Sequence, residues 1–168
     1  MNIEVYDRDL FKTSAPLICH SVNCQGVMES GVALQVHQKY PHVYYQYKKF
    51  CDEMKRQGKS LLGQCLIVAA DPMEQNVSLR HRKGQSIVNL FTQDQYGRGQ
   101  RHTDYDAFQN AVCRLNEVLV EEKIPLKTSI AMPHRIGCDR GGGDWTKILL
   151  MLSDYLKQYH VVLYRKEK

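Results

Sequence analysis

Hydrophobic residues along the chain fall into short runs that alternate with stretches where apolar positions recur every three or four residues. The short runs predict six strands, at residues 3–6, 17–22, 64–69, 86–91, 129–132 and 160–164. The periodic stretches predict helices at 32–40, 43–54, 105–119 and 148–156. Because several strands are apolar throughout, both of their faces should be covered. The pattern therefore predicts an α/β fold of three layers (α/β/α), with a central mixed six-stranded sheet.

Helix boundaries follow from a few residues. Pro41 ends the first helix and opens the second, and Gly58 is a stop signal for the second. Thr103 and Asp106 form a capping box ahead of the third helix, and Asp144 is the predicted N-cap of the fourth. Two further stretches are predicted as a loop or hairpin insertion and as a flexible loop, respectively: 71–85 and 92–101.

Two glycine-containing loops each leave a strand and enter a helix. The first runs from His20 to Ala33 and the second from Met132 to Trp145. A turn of this kind aims backbone N–H groups and a helix N-terminus at one spot, which suits a phosphate. Both loops follow strand ends, so we expect them to meet at one edge of the sheet, where ligands of α/β folds bind. Two such loops indicate a ligand with more than one phosphate.

Length, charge and composition narrow the class of protein. The 168 residues predict one domain spanning 1–168, and a net charge of +5 gives a mildly basic surface. The six cysteines form no CxxC pair and no spaced Cys/His set, so we expect reduced thiols and no metal. No apolar run is long enough to span a bilayer, and the first residues lack a signal-peptide pattern. We therefore expect a cytoplasmic protein without a membrane partner.

Eight short motifs occur in a fixed order: ICHSVNCQG (18–26), SGVA (30–33), KYP (39–41), LGQC (62–65), NLFTQ (89–93), MP (132–133), IGC (136–138) and GGDW (142–145). This ordered set resembles the macrodomain family of ADP-ribose-binding modules. The resemblance covers nearly the whole chain. It is closest to the branch that contains the yeast-type ADP-ribose-1″-phosphate phosphatase and similar bacterial and phage proteins. The resemblance implies a single macrodomain.

The resemblance also implies that ADP-ribose lies along the two glycine-containing loops. Asp9 and Leu10 would hold the adenine, with Tyr164 near it; a turn role for Asp9 and a core or edge role for Tyr164 are the alternatives. Backbone groups of the two loops would surround the diphosphate and the distal ribose. The other ligand-binding residues implied are Gly31, Val32, Ala33, Thr92, Arg135, Ile136, Gly137, Cys138, Asp139, Arg140 and Gly141.

Three polar side chains form the implied catalytic group. Asn23 matches the residue beside the distal ribose, where an amide can both donate to and accept from hydroxyls; a turn role is the alternative. His20 matches the catalytic histidine of the phosphatase branch, where it would orient water or protonate a leaving group; the alternative is a satisfied core histidine. Asp139 would activate water, or is a solvated loop charge.

Three positions depart from the patterns of the family. Gln93 stands where the branch that removes ADP-ribose from glutamate side chains or DNA has a lysine, and Gly141 stands at that branch's loop aspartate. An amide cannot form a covalent adduct with the sugar aldehyde, which disfavours the lysine-based mechanism. Glu29 stands where the family usually has glycine. Pointing inward, it would repel a pyrophosphate; pointing outward, it could act as a carboxylate near the distal ribose.

The predicted function is hydrolysis at the distal ribose, with the 1″-phosphate as the group removed and water as the nucleophile. One alternative is a reader module that binds ADP-ribose without chemistry. Another is a hydrolase that removes ADP-ribose from modified protein or DNA. The expected ligand is ADP-ribose or ADP-ribose-1″-phosphate, with ADP-ribosylated protein or nucleic acid as further partners. No cofactor is expected, and a monomer is the default in the family.

Overall fold

The computed structural model describes residues 2–96, 102–138 and 142–166. Six strands lie in these ranges: β1 (Ile3–Tyr6), β2 (Leu17–Asn23), β3 (Cys65–Ala69), β4 (Ser86–Gln93), β5 (Ser129–Pro133) and β6 (His160–Tyr164). The α-helices in the same ranges are α1 (Gly31–Lys39), α2 (Pro41–Arg56), α3 (Tyr105–Glu121) and α4 (Trp145–Tyr155). Each strand and helix predicted from the sequence is present, and only its ends are shifted by a few residues.

The strands form one mixed sheet in the order β1-β6-β5-β2-β4-β3. Five of them run parallel, and β3 pairs with β4 in the antiparallel direction. The carboxyl ends of the parallel strands therefore lie at one edge of the sheet. Both glycine-containing loops begin at that edge, the first after β2 and the second after β5. The expectation that the two loops meet at one edge is confirmed.

Helices cover both faces of the sheet because the side chains of each strand alternate between them. Leu17 and Cys19 of β2 pack into a core with the apolar faces of α3 and α4. Ile18 and Val22 of the same strand pack into a second core with α1 and α2. The predicted three-layer α/β/α architecture is confirmed.

The segment between β3 and β4 is a loop with two short 3₁₀ turns, Pro72–Glu74 and Leu79–His81, and contains no hairpin. The carboxylate of Glu74 accepts hydrogen bonds from the backbone N–H groups of Lys83 and Gly84, which closes the loop on itself. In the described ranges, no helix has the length and hydropathy that crossing a membrane requires.

The start of α3 differs from the predicted capping box. Asp104 is the N-cap, and its carboxylate accepts a hydrogen bond of 3.0 Å from the backbone N–H of Ala107. Thr103 is buried, and its hydroxyl donates a 2.6 Å hydrogen bond to the backbone oxygen of Gly137. The capping-box prediction was wrong because the Thr103 hydroxyl is used by the second glycine-containing loop, a long-range contact that local spacing does not reveal.

We expect Asp104→Ala to lower the free energy of unfolding by about 1 kcal/mol, because it removes the acceptor for an orphan N–H of the first turn. Asp106→Ala is the matched control, since Asp106 is an exposed acidic residue in the same turn. It should cost only a few tenths of that amount, through the helix dipole. Urea unfolding of both variants measures the difference, and equal losses would contradict the assignment of Asp104.

Candidate ligand-binding site

A cavity of about 470 Å³ lies at the carboxyl ends of β2, β4 and β5. Both glycine-containing loops contribute to its wall, together with the end of β4. The structure brings together in this wall eight of the residues proposed from the sequence: His20, Asn23, Gly31, Val32, Ala33, Arg135, Ile136 and Gly137.

The first loop is held in shape by the Asn23 side chain. Its Oδ1 accepts from the backbone N–H of Gln25 at 2.9 Å, and its Nδ2 donates to the backbone oxygen of Val27 at 2.9 Å. Two tyrosines of α2 hold the same loop: Tyr47 donates to the backbone oxygen of Asn23 at 2.7 Å, and Tyr44 to that of Gly26 at 3.1 Å. Asn23 thus fills the turn role proposed for it and also lies in the cavity wall.

The N-terminus of α1 also forms part of the wall. Ser30 is the N-cap, but its side chain makes no capping hydrogen bond. Gly31 follows with φ of 59°, in the left-handed region that favours glycine. The first N–H groups of a helix have no partner within the helix, and a side-chain cap usually satisfies one of them. These amides next to the cavity are therefore suited to an anion.

The second loop is built from two consecutive tight turns. Ile136 N–H donates to the oxygen of Pro133, and Cys138 N–H donates to that of Arg135. Arg135 has φ of 62°, a left-handed conformation that costs a non-glycine residue about 1 kcal/mol or more. Gly143 N–H donates to the oxygen of Gly137 at 3.0 Å, and a Cβ on Gly143 would lie 2.8 Å from that oxygen. The loop backbone therefore needs glycine at this contact.

His20 lies in β2 directly opposite Asn89 of β4 and is buried. Its Nε2 is 2.6 Å from Asn89 Oδ1, while Asn89 Nδ2 donates to the oxygen of Leu66. Because the Asn89 amide is oriented by Leu66, Nε2 carries the hydrogen and donates. Burial lowers the pKa of His20 to about 4, against the upward effect of the Asn89 bond. The ring is therefore neutral near pH 7.

The other ring nitrogen of His20, Nδ1, has no hydrogen-bond partner among the described residues. In the neutral tautomer it carries a lone pair. His20 lines the cavity, and Nδ1 itself is a buried acceptor in this structure. A group with so low a pKa is almost entirely deprotonated at neutral pH, so it is poorly suited to donating a proton to a leaving group.

Cys24 and Glu29 determine further chemistry of the first loop. Burial, followed by the charge of Asp94, raises the pKa of Cys24 to about 12, so its thiol is not a thiolate nucleophile at neutral pH.

Glu29 is exposed and lies in the cavity wall. Its carboxylate adds negative charge on the side where the N-terminus of α1 is suited to an anion.

The three proposed adenine residues, Asp9, Leu10 and Tyr164, lie at the same sheet edge but outside the cavity wall. Asp9 accepts from Phe11 N–H at 2.9 Å as the N-cap of a 3₁₀ turn, Leu10–Lys12, in which Leu10 is buried. The Tyr164 hydroxyl lies 2.7 Å from Thr13 Oγ1. The backbone oxygen of Tyr164 accepts from His134 N–H, and His134 does line the cavity.

The remaining proposed residues either are buried without lining the cavity or lie outside the residues that the structure describes. Thr92 and Cys138 are buried and do not line the cavity. Asp139, Arg140 and Gly141 lie outside the described residues. Among the wall residues that were not assigned from the sequence are His134, which follows β5, and Tyr96, which is 54% exposed. Their positions just after strand ends are the signal that could have identified them.

Comparison with known proteins gives the family. The family model described as "Macro domain" matches residues 19–150. The chain therefore belongs to the macrodomain family, as its motifs indicated. This member of the family has a six-stranded mixed sheet between two helical layers, with a cavity at the carboxyl edge of the sheet.

Curated relatives carry two different activities in their names. A "DNA ADP-ribosyl glycohydrolase" of Mycobacterium tuberculosis is 27% identical over 150 residues, which cover 89% of this chain and 37% of the relative. An "ADP-ribose 1″-phosphate phosphatase" of Debaryomyces hansenii is 30% identical over 93 residues, covering 52% of this chain and 48% of the relative. The chain thus spans less than half the length of either protein.

Among solved structures, the macrodomain of Mycobacterium tuberculosis DarG superposes with a TM-score of 0.75. It is 22% identical, and the match covers 99% of this chain and 98% of that one. At this identity, the likeness supports the fold alone.

The lowered pKa of His20 predicts a specific pH dependence of stability. A histidine whose pKa falls from 6.5 to about 4 on folding binds its proton more tightly in the unfolded state. Its contribution to stability is therefore complete above pH 6.5 and is lost as the pH falls toward 4. Between about pH 7.5 and 4.5 the wild type should lose about 2 to 3 kcal/mol more than His20→Gln, which cannot titrate.

Urea unfolding at the two pH values measures this difference between wild type and variant. The subtraction removes the contribution of the carboxylates, which both proteins share. An equal loss in the two proteins would show that His20 is not held in the neutral form.

Proposed function

We propose that this chain binds ADP-ribose in the cavity and hydrolyses a group from the distal ribose, with ADP-ribose-1″-phosphate as the first candidate substrate. The observation that supports the proposal is the joint wall: two loops bring an uncapped helix N-terminus and a tightly turned, glycine-containing backbone to one cavity. Its volume of about 470 Å³ lies within the range of small-molecule sites.

In this proposal the diphosphate lies against the first turn of α1, where Gly31, Val32 and Ala33 offer backbone N–H groups. The second loop, from Arg135 to Gly137, covers the diphosphate and the distal ribose from the other side. Asn23 contacts the distal ribose. The adenine lies toward Asp9 and Tyr164, at the ends of β1 and β6. Small residues and fixed backbone, rather than long side chains, would then provide most of the contacts.

Water is the proposed nucleophile. Hydrolysis of the 1″-phosphate would release inorganic phosphate and ADP-ribose. Neutral His20 would accept a hydrogen bond from water or a ribose hydroxyl through Nδ1, and Asp139 would exchange the proton. Gln93, the residue after Thr92 in the chain, lines the cavity. Because an amide cannot form the covalent adduct that a lysine amine forms, Gln93 favours a reaction with water.

A second candidate is removal of ADP-ribose from modified DNA. It is favoured by the glycohydrolase relative, whose similarity extends over 89% of this chain. Tyr96 also supports it, because an exposed aromatic ring at the cavity can stack on a nucleobase beyond the distal ribose. A reader module that binds without turnover is the remaining alternative.

Turnover assays distinguish these candidates. We expect the wild type to release phosphate from ADP-ribose-1″-phosphate, and His20→Gln to release it about 100-fold more slowly, with a thermal unfolding curve that shows a folded protein. An ADP-ribosylated single-stranded oligonucleotide is the parallel substrate, assayed with wild type and Tyr96→Ala. Cleavage of the oligonucleotide alone would replace the first candidate by the second. Binding without turnover of either substrate would leave the reader module as the remaining candidate function.

Glu29 provides a test of where the phosphates lie. A unit charge close to a phosphate at the protein surface contributes on the order of 1 kcal/mol, so Glu29→Gln should strengthen ADP-ribose binding about fivefold at low salt. The gain should shrink at about 0.5 M salt, where screening is strong. Calorimetric titration measures both values, and Glu117→Gln, an exposed glutamate on α3, is the matched control. Weaker binding of ADP-ribose by Glu29→Gln would instead indicate that the Glu29 carboxylate contacts the ligand.

A further inference from the structure

The orientation of the Asn23 amide is determined by three neighbours. Oδ1 accepts from Gln25 N–H at 2.9 Å, from Val27 N–H at 3.5 Å and from the Tyr47 hydroxyl at 2.9 Å. Nδ2 donates one of its two hydrogens to the oxygen of Val27 at 2.9 Å. These bonds occupy the carbonyl end of the amide and leave one N–H for the cavity.

Tyr47 is the member of this network that comes from outside the loop. Its hydroxyl contacts both the backbone oxygen of Asn23, at 2.7 Å, and Oδ1, at 2.9 Å, and therefore shares its one hydrogen between them. The side chain is fully buried, and its ring stacks on Phe91 with the ring centres 5.7 Å apart. Burial raises the pKa of the phenol well above its ordinary value, so it is a permanent donor at physiological pH.

We propose that Tyr47 is a positioning residue, which fixes the Asn23 amide so that it offers an N–H donor, rather than a carbonyl acceptor, to the ligand. Asn23 then selects an oxygen of the distal ribose that can accept a hydrogen bond. This inference rests on the proposed ADP-ribose site and deepens it. A flipped amide would direct Nδ2 at Gln25 N–H, which only donates, and Oδ1 at the oxygen of Val27, which only accepts, so these two groups disfavour the flip. The Tyr47 hydroxyl adds the bond from outside the loop that holds Oδ1 in place.

The pair Tyr47→Phe and Tyr44→Phe tests the proposal. Both variants remove one hydroxyl from α2, and both hydroxyls bond the first loop, but Tyr44 bonds Gly26 and does not contact Asn23. Each protein is titrated by calorimetry with ADP-ribose and with ADP, which lacks the distal ribose. We expect Tyr47→Phe to lose about tenfold in affinity for ADP-ribose and to bind ADP as the wild type does. Tyr44→Phe, which removes a bond to the loop but none to the Asn23 amide, should keep the wild-type preference for ADP-ribose over ADP.

The comparison of two ligands separates positioning from a general structural effect. Equal losses for ADP-ribose and ADP in Tyr47→Phe would overturn the proposal, because a deformed loop would weaken both. Unchanged affinities for both ligands in Tyr47→Phe would overturn it too, while leaving the proposed function intact. A wild type that binds neither ligand would refute the proposed function itself.

A measurement on the wild type decides the matter if Tyr47→Phe does not fold. In the NMR spectrum, the two side-chain amide hydrogens of Asn23 are separate signals. We expect one of them to shift on addition of ADP-ribose and neither to shift on addition of ADP. Asn23→Asp, which cannot donate, should lose the preference for ADP-ribose over ADP. Unshifted signals, or a preference retained in Asn23→Asp, would overturn the proposal.

Discussion

The parallel pairing of β2 with both β4 and β5 is the constraint on which the candidate site depends. It brings the ends of three strands to one edge, so that Asn23, Gln93 and Pro133 surround one cavity. The same register places His20 opposite Asn89 inside the sheet. A slip of one residue would turn His20 to the face of α3 and α4 and leave the buried Asn89 amide without its partner. Register and site are therefore determined together.

Buried side-chain hydrogen bonds also fix the backbone conformation of the two glycine-containing loops. Thr103 of the segment before α3 holds the oxygen of Gly137, and Tyr47 of α2 holds that of Asn23. Each loop is thus fixed by a hydroxyl from a distant segment of the chain. A site that binds mainly through backbone N–H groups needs such support, because the backbone itself must be preorganised. The left-handed conformations of Arg135 and Gly137 belong to the same requirement.

Much of this structure can be predicted from the sequence. The apolar runs predict the six strands, and the ordered motifs indicate the family and the two loops. What the sequence does not reveal depends on contacts between distant residues. Local spacing predicts Thr103 as part of a helix cap, but its hydroxyl binds the oxygen of Gly137, which is distant in the sequence. Tyr47 reads as one member of an apolar helical stripe, although its hydroxyl is its most specific contact. The sequence predicts that His20 orients water or protonates a leaving group, whereas burial lowers its pKa and makes it neutral.

Chemical-shift mapping of ADP-ribose on the ¹⁵N-labelled wild type tests directly whether the joint cavity is the ligand site. We expect the largest backbone amide shifts at Gly31, Val32 and Ala33 of the α1 N-terminus and at Gly137 of the second loop, with saturation at one ligand per chain. Shifts centred elsewhere, for example on the basic 3₁₀ turn Leu79–His81 at the opposite end of β4, or an unchanged spectrum at saturating ligand, would contradict the assignment of the cavity.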